Sequence, residues 1–286
     1  MKKVVFTLLV SLLATVSISA QSRVEERSMK SEILGVEKTF SVYLPDGYDD
    51  DNSTRYPVLY LLHGAFGQNT DWHTHADLQL IADRMIAADS VRPMIVVMPD
   101  ARGVAKNLAG ENMGYFNVEG WPYEDYFFEE FIPYIEKTFR VDTARESRAI
   151  AGLSMGGGGA VAYAQHHPEL FCAAYAASGL LNMFPRKGIS PHYAVPFLWS
   201  VVANSPVIYM QNATPEAVER LKTVRWMADC GDDDFLIRPN LDFFNEMLRC
   251  GVPMEFRVRD GSHSWKYWNS ALPMILEFSF GTSRSK

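Results

Sequence analysis

Only three cysteines occur in the 286 residues, Cys172, Cys230 and Cys250. They are too few for a disulfide framework and lack the paired spacing of a zinc site, so neither staples nor a structural metal is expected to hold the fold. At least one thiol is unpaired within the chain, and buried free thiols are expected rather than a Cys230–Cys250 bridge. Clusters of basic residues are missing as well: 27 Lys and Arg against 34 Asp and Glu leave a net charge of −7. Without a basic stripe, nucleic acid and anionic membrane surfaces are disfavoured as partners. Internal repeats, low-complexity tracts and long linkers are also absent, which argues against repeat arrays. The acidic loop "YDDDNSTRY" lacks the twelve-residue calcium spacing with its terminal glutamate and reads as a solvated turn. His73 and His75, in "DWHTHAD", have ligand-like spacing but no accompanying carboxylate-histidine set. No metal and no cofactor are therefore expected.

What is present begins with "MKKVVFTLLVSLLATVSISA", a short basic start, an apolar run and a small-residue end. Residues 1–20 read as a signal peptide. The apolar run is short for a membrane span of about 20 residues, and polar Gln21-Ser22-Arg23 follows at once. The expectation is an exported protein, periplasmic or extracellular, in which residues 21–286 form one domain with no membrane contact after cleavage and no particular oligomeric state implied.

Val36, Phe40, Val42 and Leu44 share one parity and predict a half-buried strand before the turn at Pro45-Asp46-Gly47. Short apolar runs recur at 57–62, 94–98, 148–153, 171–177, 224–229 and 254–259. Between them lie helix-like stretches such as "ADLQLIADRMIAADS", "PYEDYFFEEFIPYIEKTF", which opens with Pro122, and "LDFFNEMLRC". Strands alternating with helices imply an α/β fold with a mostly parallel central sheet covered on both faces. Residues 181–215, rich in Pro and aromatics, break the rhythm; they are expected over one end of the sheet, either lining a pocket or packing on themselves.

Gly152-Leu153-Ser154-Met155-Gly156 satisfies G-x-S-x-G, with an apolar strand before it and a helix-forming stretch after it. In that context a sharp strand-to-helix turn holds the serine in a strained conformation above the sheet. The glycines stand where a β-carbon would collide with neighbouring backbone. The turn also aims helix N-terminal amides at the space beside Ser154. A dinucleotide reading of the same glycines is weaker, because G-x-G-x-x-G spacing and a ribose-binding acid about 20 residues on are both missing. A serine hydroxyl needs a base, and the base an orienting carboxylate, in the chain order Ser, then Asp or Glu, then His. "ADCGDDDFL" and "RDGSHSWKYW" supply both just past the carboxyl ends of two strands, the edge where open α/β sheets place their sites. His263 is the only histidine after His192. Among Asp232, Asp233 and Asp234, spacing alone makes no choice.

With these residues in view, the chain resembles the esterase-D-like branch of the α/β-hydrolases, which includes feruloyl and acetyl-xylan esterases, S-formylglutathione hydrolases and mycolyltransferases. The likeness rests on "YPVLYLLHGAFGQNTDW", "EEFIPYIEKTFRV", "AGLSMGG", "CGDDDFL" and "GSHSWKYW", in that order. It implies the α/β-hydrolase fold, Ser154 as nucleophile, His263 as base and Asp234 as acid, with Asp233 as the fallback. It further implies oxyanion donors at the backbone amides of Ala65 and Met155, and a backbone-shaping role for His63. The resemblance together with export points to a carbohydrate esterase that hydrolyses feruloyl or acetyl esters of plant xylan through an acyl-enzyme. Rival readings are a siderophore-ester hydrolase or acyltransferase on the same fold, and an exported binding protein without turnover. Trp72, Trp199, Trp226 and Trp265 are the aromatics that can stack on a ring or else pack inside.

Overall fold

One antiparallel pair opens the sheet: β1 (Arg23–Lys30) lies along β2 (Glu37–Leu44), which in turn lies antiparallel to β4 (Ile95–Pro99). Beyond β4 every neighbour is parallel, through β3 (Val58–Leu62), β7 (Arg148–Leu153), β8 (Ala173–Ala177), β9 (Arg225–Gly231) and β10 (Met254–Arg259). The two-residue strands β5 (Asn117–Val118) and β6 (Trp121–Pro122) form a separate hairpin. The eight-stranded order is β1-β2-β4-β3-β7-β8-β9-β10. This computed structural model describes residues 21–104, 113–183 and 195–284. The leader expected over residues 1–20 thus lies outside the described residues, as does much of the aromatic-rich stretch after 183.

β3, β4, β7 and β8 are buried along their whole length because helices cover both faces, which is why they read as continuous apolar runs rather than alternations. Tyr60, Val97, Ile150, Ala174 and Trp226 face one side, where they meet the aromatic rings of 126–131 and the helix that follows Ser154. Leu59, Val96, Ala149, Tyr175 and Met227 face the other, against Leu78, Ala82, Leu272 and Ile275 of two further helices. The two cores share the strands and alternate residue by residue, as a pleated sheet requires.

Three expectations change on contact with the structure. β1 was not expected, since "RVEERSMK" has no apolar alternation; it is an edge strand, paired on one side only, with Met29 its single buried residue. β2 is half-buried only at its start, because from Phe40 to Leu44 both faces are covered. Pro122 precedes its helix instead of sitting inside it, and the helix passes from Tyr123–Asp125 through a π-type turn at Tyr126–Phe131 into Ile132–Thr138. The wider π turn turns Tyr126, Phe127 and Phe131 inward, and Phe127 and Phe131 stand edge-on to Tyr60 at 5.5 and 6.3 Å.

Candidate active site

Four loops meet at the carboxyl ends of β3, β7, β9 and β10. The tightest is the elbow between β7 and the helix Met155–His166. Ser154 sits there at φ 52°, ψ −119°, a conformation that costs a non-glycine residue of order 1–3 kcal/mol. Its backbone is held from both directions: the amide donates to Ala177 O at 2.9 Å, and the carbonyl accepts from Gly158 N at 3.1 Å and Leu180 N at 2.8 Å. The flanking glycines are architectural. A β-carbon on Gly152 would lie 2.4 Å from the Gly156 backbone, and one on Gly156 would lie 2.5 Å from His63 O and 2.7 Å from Leu62 O. The bareness of the serine's surroundings lets this helix start directly against β3. Its first amides, Met155 among them, have no carbonyl four residues back to bond and carry the positive end of the helix dipole beside Ser154.

The acid and histidine loops are joined backbone to backbone. Asp232 N donates to Arg259 O at 3.0 Å, and Asp233 N donates to Gly261 O at 3.0 Å. Gly261 N donates back to Asp232 Oδ1 at 3.0 Å. Beneath them Arg259 clasps fully buried Asp229 through two bonds of 3.0 and 2.9 Å, and Tyr267 donates its hydroxyl to the same carboxylate. This arrangement separates the three aspartates: Asp232 and Asp233 are exposed, while Asp234 turns inward and is buried.

His263 Nδ1 stands 2.9 and 3.0 Å from the two Asp234 oxygens, and its Nε2 stands 2.9 Å from Ser154 Oγ. Burial works against ionisation of Asp234, but the hydrogen bonds from His263 and from Leu236 N, the latter 2.8 Å long, outweigh it and hold the carboxyl below its usual range. An ionised Asp234 accepts Nδ1–H, which leaves the Nε2 lone pair to accept the serine proton. The fallback Asp233 makes no contact with the imidazole among the described hydrogen bonds.

The fourth loop carries Ala65. His63, buried in the floor, accepts Ala101 N–H at Nε2, 2.9 Å away, and donates Nδ1–H to Gly64 O at 2.7 Å. Burial pushes this imidazole down in pKa, against the pull of Asp100, so it stays neutral. Gly64 O also accepts from Gly67 N at 3.2 Å. With its carbonyl pinned twice and its peptide trans, the Gly64–Ala65 unit presents the Ala65 N–H to the opposite side. The backbone-shaping role expected of His63 thus has a specific form: it pins the carbonyl of the peptide that joins Gly64 to Ala65, and both residues line the cavity described next.

These loops enclose an open cavity of about 610 Å³ lined by Gly64–Gln68, Asp71, His75, Leu153, Ser154, Phe235, His263, Trp265 and Trp268. Of the four tryptophans singled out from sequence, Trp265 lines it. Trp72 and Trp226 are core residues whose indole N–H groups bond Leu62 O and Leu221 O, and Trp199 is exposed without lining the cavity. No described residue of 181–215 contributes to the wall. Gln68, Asp71 and Phe235 were missed by sequence reading; only the placement of "DDDF" directly after the acid could have drawn attention to Phe235. A smaller cleft of about 440 Å³ near Ser22, Asp46 and Asp83 contains none of the triad. All three cysteines are free, and burial pushes the Cys230 thiol up to about 12, which keeps it protonated. Among the described residues, no group of three or more His, Cys, Asp or Glu is arranged to hold a metal ion, and no helix is long and apolar enough to cross a membrane.

The profile of the Esterase family matches residues 31–278. An endo-1,4-beta-xylanase/feruloyl esterase of Xylanibacter ruminicola is 36% identical over 151 residues, which is 52% of this chain and 20% of that protein. The chain therefore spans about a fifth of that relative's length. An acetyl esterase of Caldicellulosiruptor saccharolyticus is 28% identical over 245 residues, covering 80% of this chain and 85% of the relative. Among solved structures, a ferulic acid esterase superimposes with a TM-score of 0.86 at 44% identity over 91% of this chain and 98% of its own.

Proposed function

The chain belongs to the Esterase family, and from that membership we propose that it is an exported serine hydrolase that cleaves feruloyl or acetyl esters of plant cell-wall polysaccharide through an acyl-enzyme. The observation that carries the chemistry is the unbroken line Asp234–His263–Ser154, with heavy-atom separations of 2.9 Å at both links. His263 Nε2 takes the Ser154 proton as Oγ attacks the ester carbonyl, and Asp234 stabilises the imidazolium that forms. The negative oxygen of the tetrahedral intermediate is met by the amides of Ala65 and Met155, each a donor type whose loss costs about 10²- to 10³-fold in rate. Water, deprotonated by the same imidazole, then releases the acid and restores Ser154.

The feruloyl or acetyl preference is supported by likeness to the ferulic acid esterase structure and to the xylanase/feruloyl esterase and acetyl esterase sequences. Export is supported by the basic-then-apolar composition of residues 1–20. The test compares acid release from methyl ferulate and from acetylated xylan, alongside labelling by a fluorophosphonate. Labelling is expected in the wild type and absent in Ser154→Ala. A folded wild-type protein that neither labels nor releases acid from any ester would overturn the proposal.

A further inference from the structure

The half of the cavity that receives the departing alcohol follows from the path of one proton. When the tetrahedral intermediate collapses, the carbonyl carbon keeps its new bond to Ser154 Oγ and loses its bond to the alcohol oxygen. The proton held at His263 Nε2 passes to that oxygen. The alcohol oxygen must therefore stand beside Nε2, and whatever it carries lies against the groups that flank the imidazole.

Those groups are aromatic. Phe235 sets its ring 4.5 Å from the imidazole at 49° while remaining 73% exposed. On another side Trp268 meets the imidazole edge-on at 4.8 Å, and Trp265 extends the wall, 5.3 Å from Trp268 and 4.9 Å from His75. Gln68 and Asp71 line the same cavity with polar side chains, and Asp71 Oδ2 accepts from Gln68 N at 3.1 Å. The imidazole does not need Phe235 to stay in place, since Asp234 and Trp268 already hold it. A phenyl ring left three-quarters in water at the mouth of a cavity gains its burial only when something binds there.

We propose that Phe235 and Trp265 form a leaving-alcohol subsite for a sugar ring, whose C–H faces lie on the aromatic wall and whose hydroxyls reach Gln68, Asp71 and His75. The proposal rests on Ser154 and His263 acting as described above, but not on the identity of the acyl group. An aromatic surface that shares its cavity with a carboxylate, an amide and an imidazole suits a carbohydrate, which is apolar on its ring faces and polar at its rim, and is wasted on methanol.

The test uses acyl-matched pairs: arabinose carrying a feruloyl ester against methyl ferulate, and acetylated xylose against methyl acetate. Phe235→Ala is expected to raise the ratio of sugar-ester KM to methyl-ester KM about 10-fold and to keep the pH profile of kcat, with Phe235→Trp restoring that ratio. Equal losses on sugar and methyl esters would overturn the subsite, because they mean that Phe235 acts on the acyl group or through His263; so would no loss on either. Wild-type enzyme inactive on both feruloyl esters but active on the acetyl pair sinks the feruloyl assignment alone, and the acetyl pair then decides the subsite.

Discussion

Replacing Gly231 by alanine perturbs the triad without touching any of its side chains. The added β-carbon would lie 2.2 Å from Gly261 O and 2.6 Å from Gly261 C, both backbone atoms of the histidine loop. No side-chain rotation relieves this contact, so the acid and histidine loops must part by roughly 1 Å to regain van der Waals separation. Asp234 lies on one of these loops and His263 on the other, joined by a hydrogen bond of 2.9 Å. Opening that gap takes the pair beyond hydrogen-bond reach, which frees the imidazole to turn from Ser154. A misplacement of this size costs about 10²-fold in kcat. The accompanying loss of stability, about 1–3 kcal/mol for an overpacked contact, is a fraction of an ordinary domain's reserve. Turnover of p-nitrophenyl acetate, the rate of fluorophosphonate labelling and thermal unfolding together read the outcome: a folded protein, slightly less stable, slow in both reactions. A folded Gly231→Ala enzyme with kcat within about 3-fold of wild type would show that the backbone contact does not hold the triad together, and the reasoning would fail.

Two further substitutions probe the floor of the site. His63→Ala removes the donor that pins Gly64 O, and kcat is expected to fall about 10- to 10²-fold with KM nearly unchanged, short of losing an oxyanion donor outright; a loss confined to KM would contradict the role given to the Ala65 peptide. Lys38, buried beside Asp100 with its ammonium donating to Arg102 O at 2.5 Å, is pushed down by burial to about 8. As pH rises through 8 the folded protein releases this proton while the unfolded chain keeps it to about 10.5, so the unfolded state binds more protons and stability rises between pH 8 and 10. In denaturant titrations stability is expected to rise between pH 8 and 10 in the wild type, and this rise is expected to be lost in Lys38→Met; a rise of equal size in the variant would refute the assignment to Lys38.

Much of the site was legible because its chemistry is local in sequence. G-x-S-x-G needs a strand before it and a helix after it, and the run at 148–153 coincides with β7 residue for residue, as 254–259 does with β10. The order Ser154, acid, His263 follows from loops that each leave the end of a strand. Less was legible where burial depends on neighbours distant in the chain. β1 has no apolar pattern because an edge strand touches little beyond its partner β2. Val36, Phe40, Val42 and Leu44 predict a half-buried strand, but residues that arrive much later in the chain cover the second face.

The amino-acid sequence by itself determined that strands and helices alternate, that a bare serine stands at a strand-to-helix turn, and that a carboxylate and an imidazole follow in an order able to serve it. Those properties reside in short stretches, where periodicity and glycine placement act directly on the backbone. Only the tertiary structure decided that Asp234 and not Asp233 faces the imidazole, that Trp265 lines the cavity while Trp72 and Trp226 are core, and that Phe235 stands open beside His263. Each of those outcomes depends on how loops far apart in the chain cover one another, and three adjacent aspartates, or four tryptophans, are chemically alike until the fold gives each a different share of water.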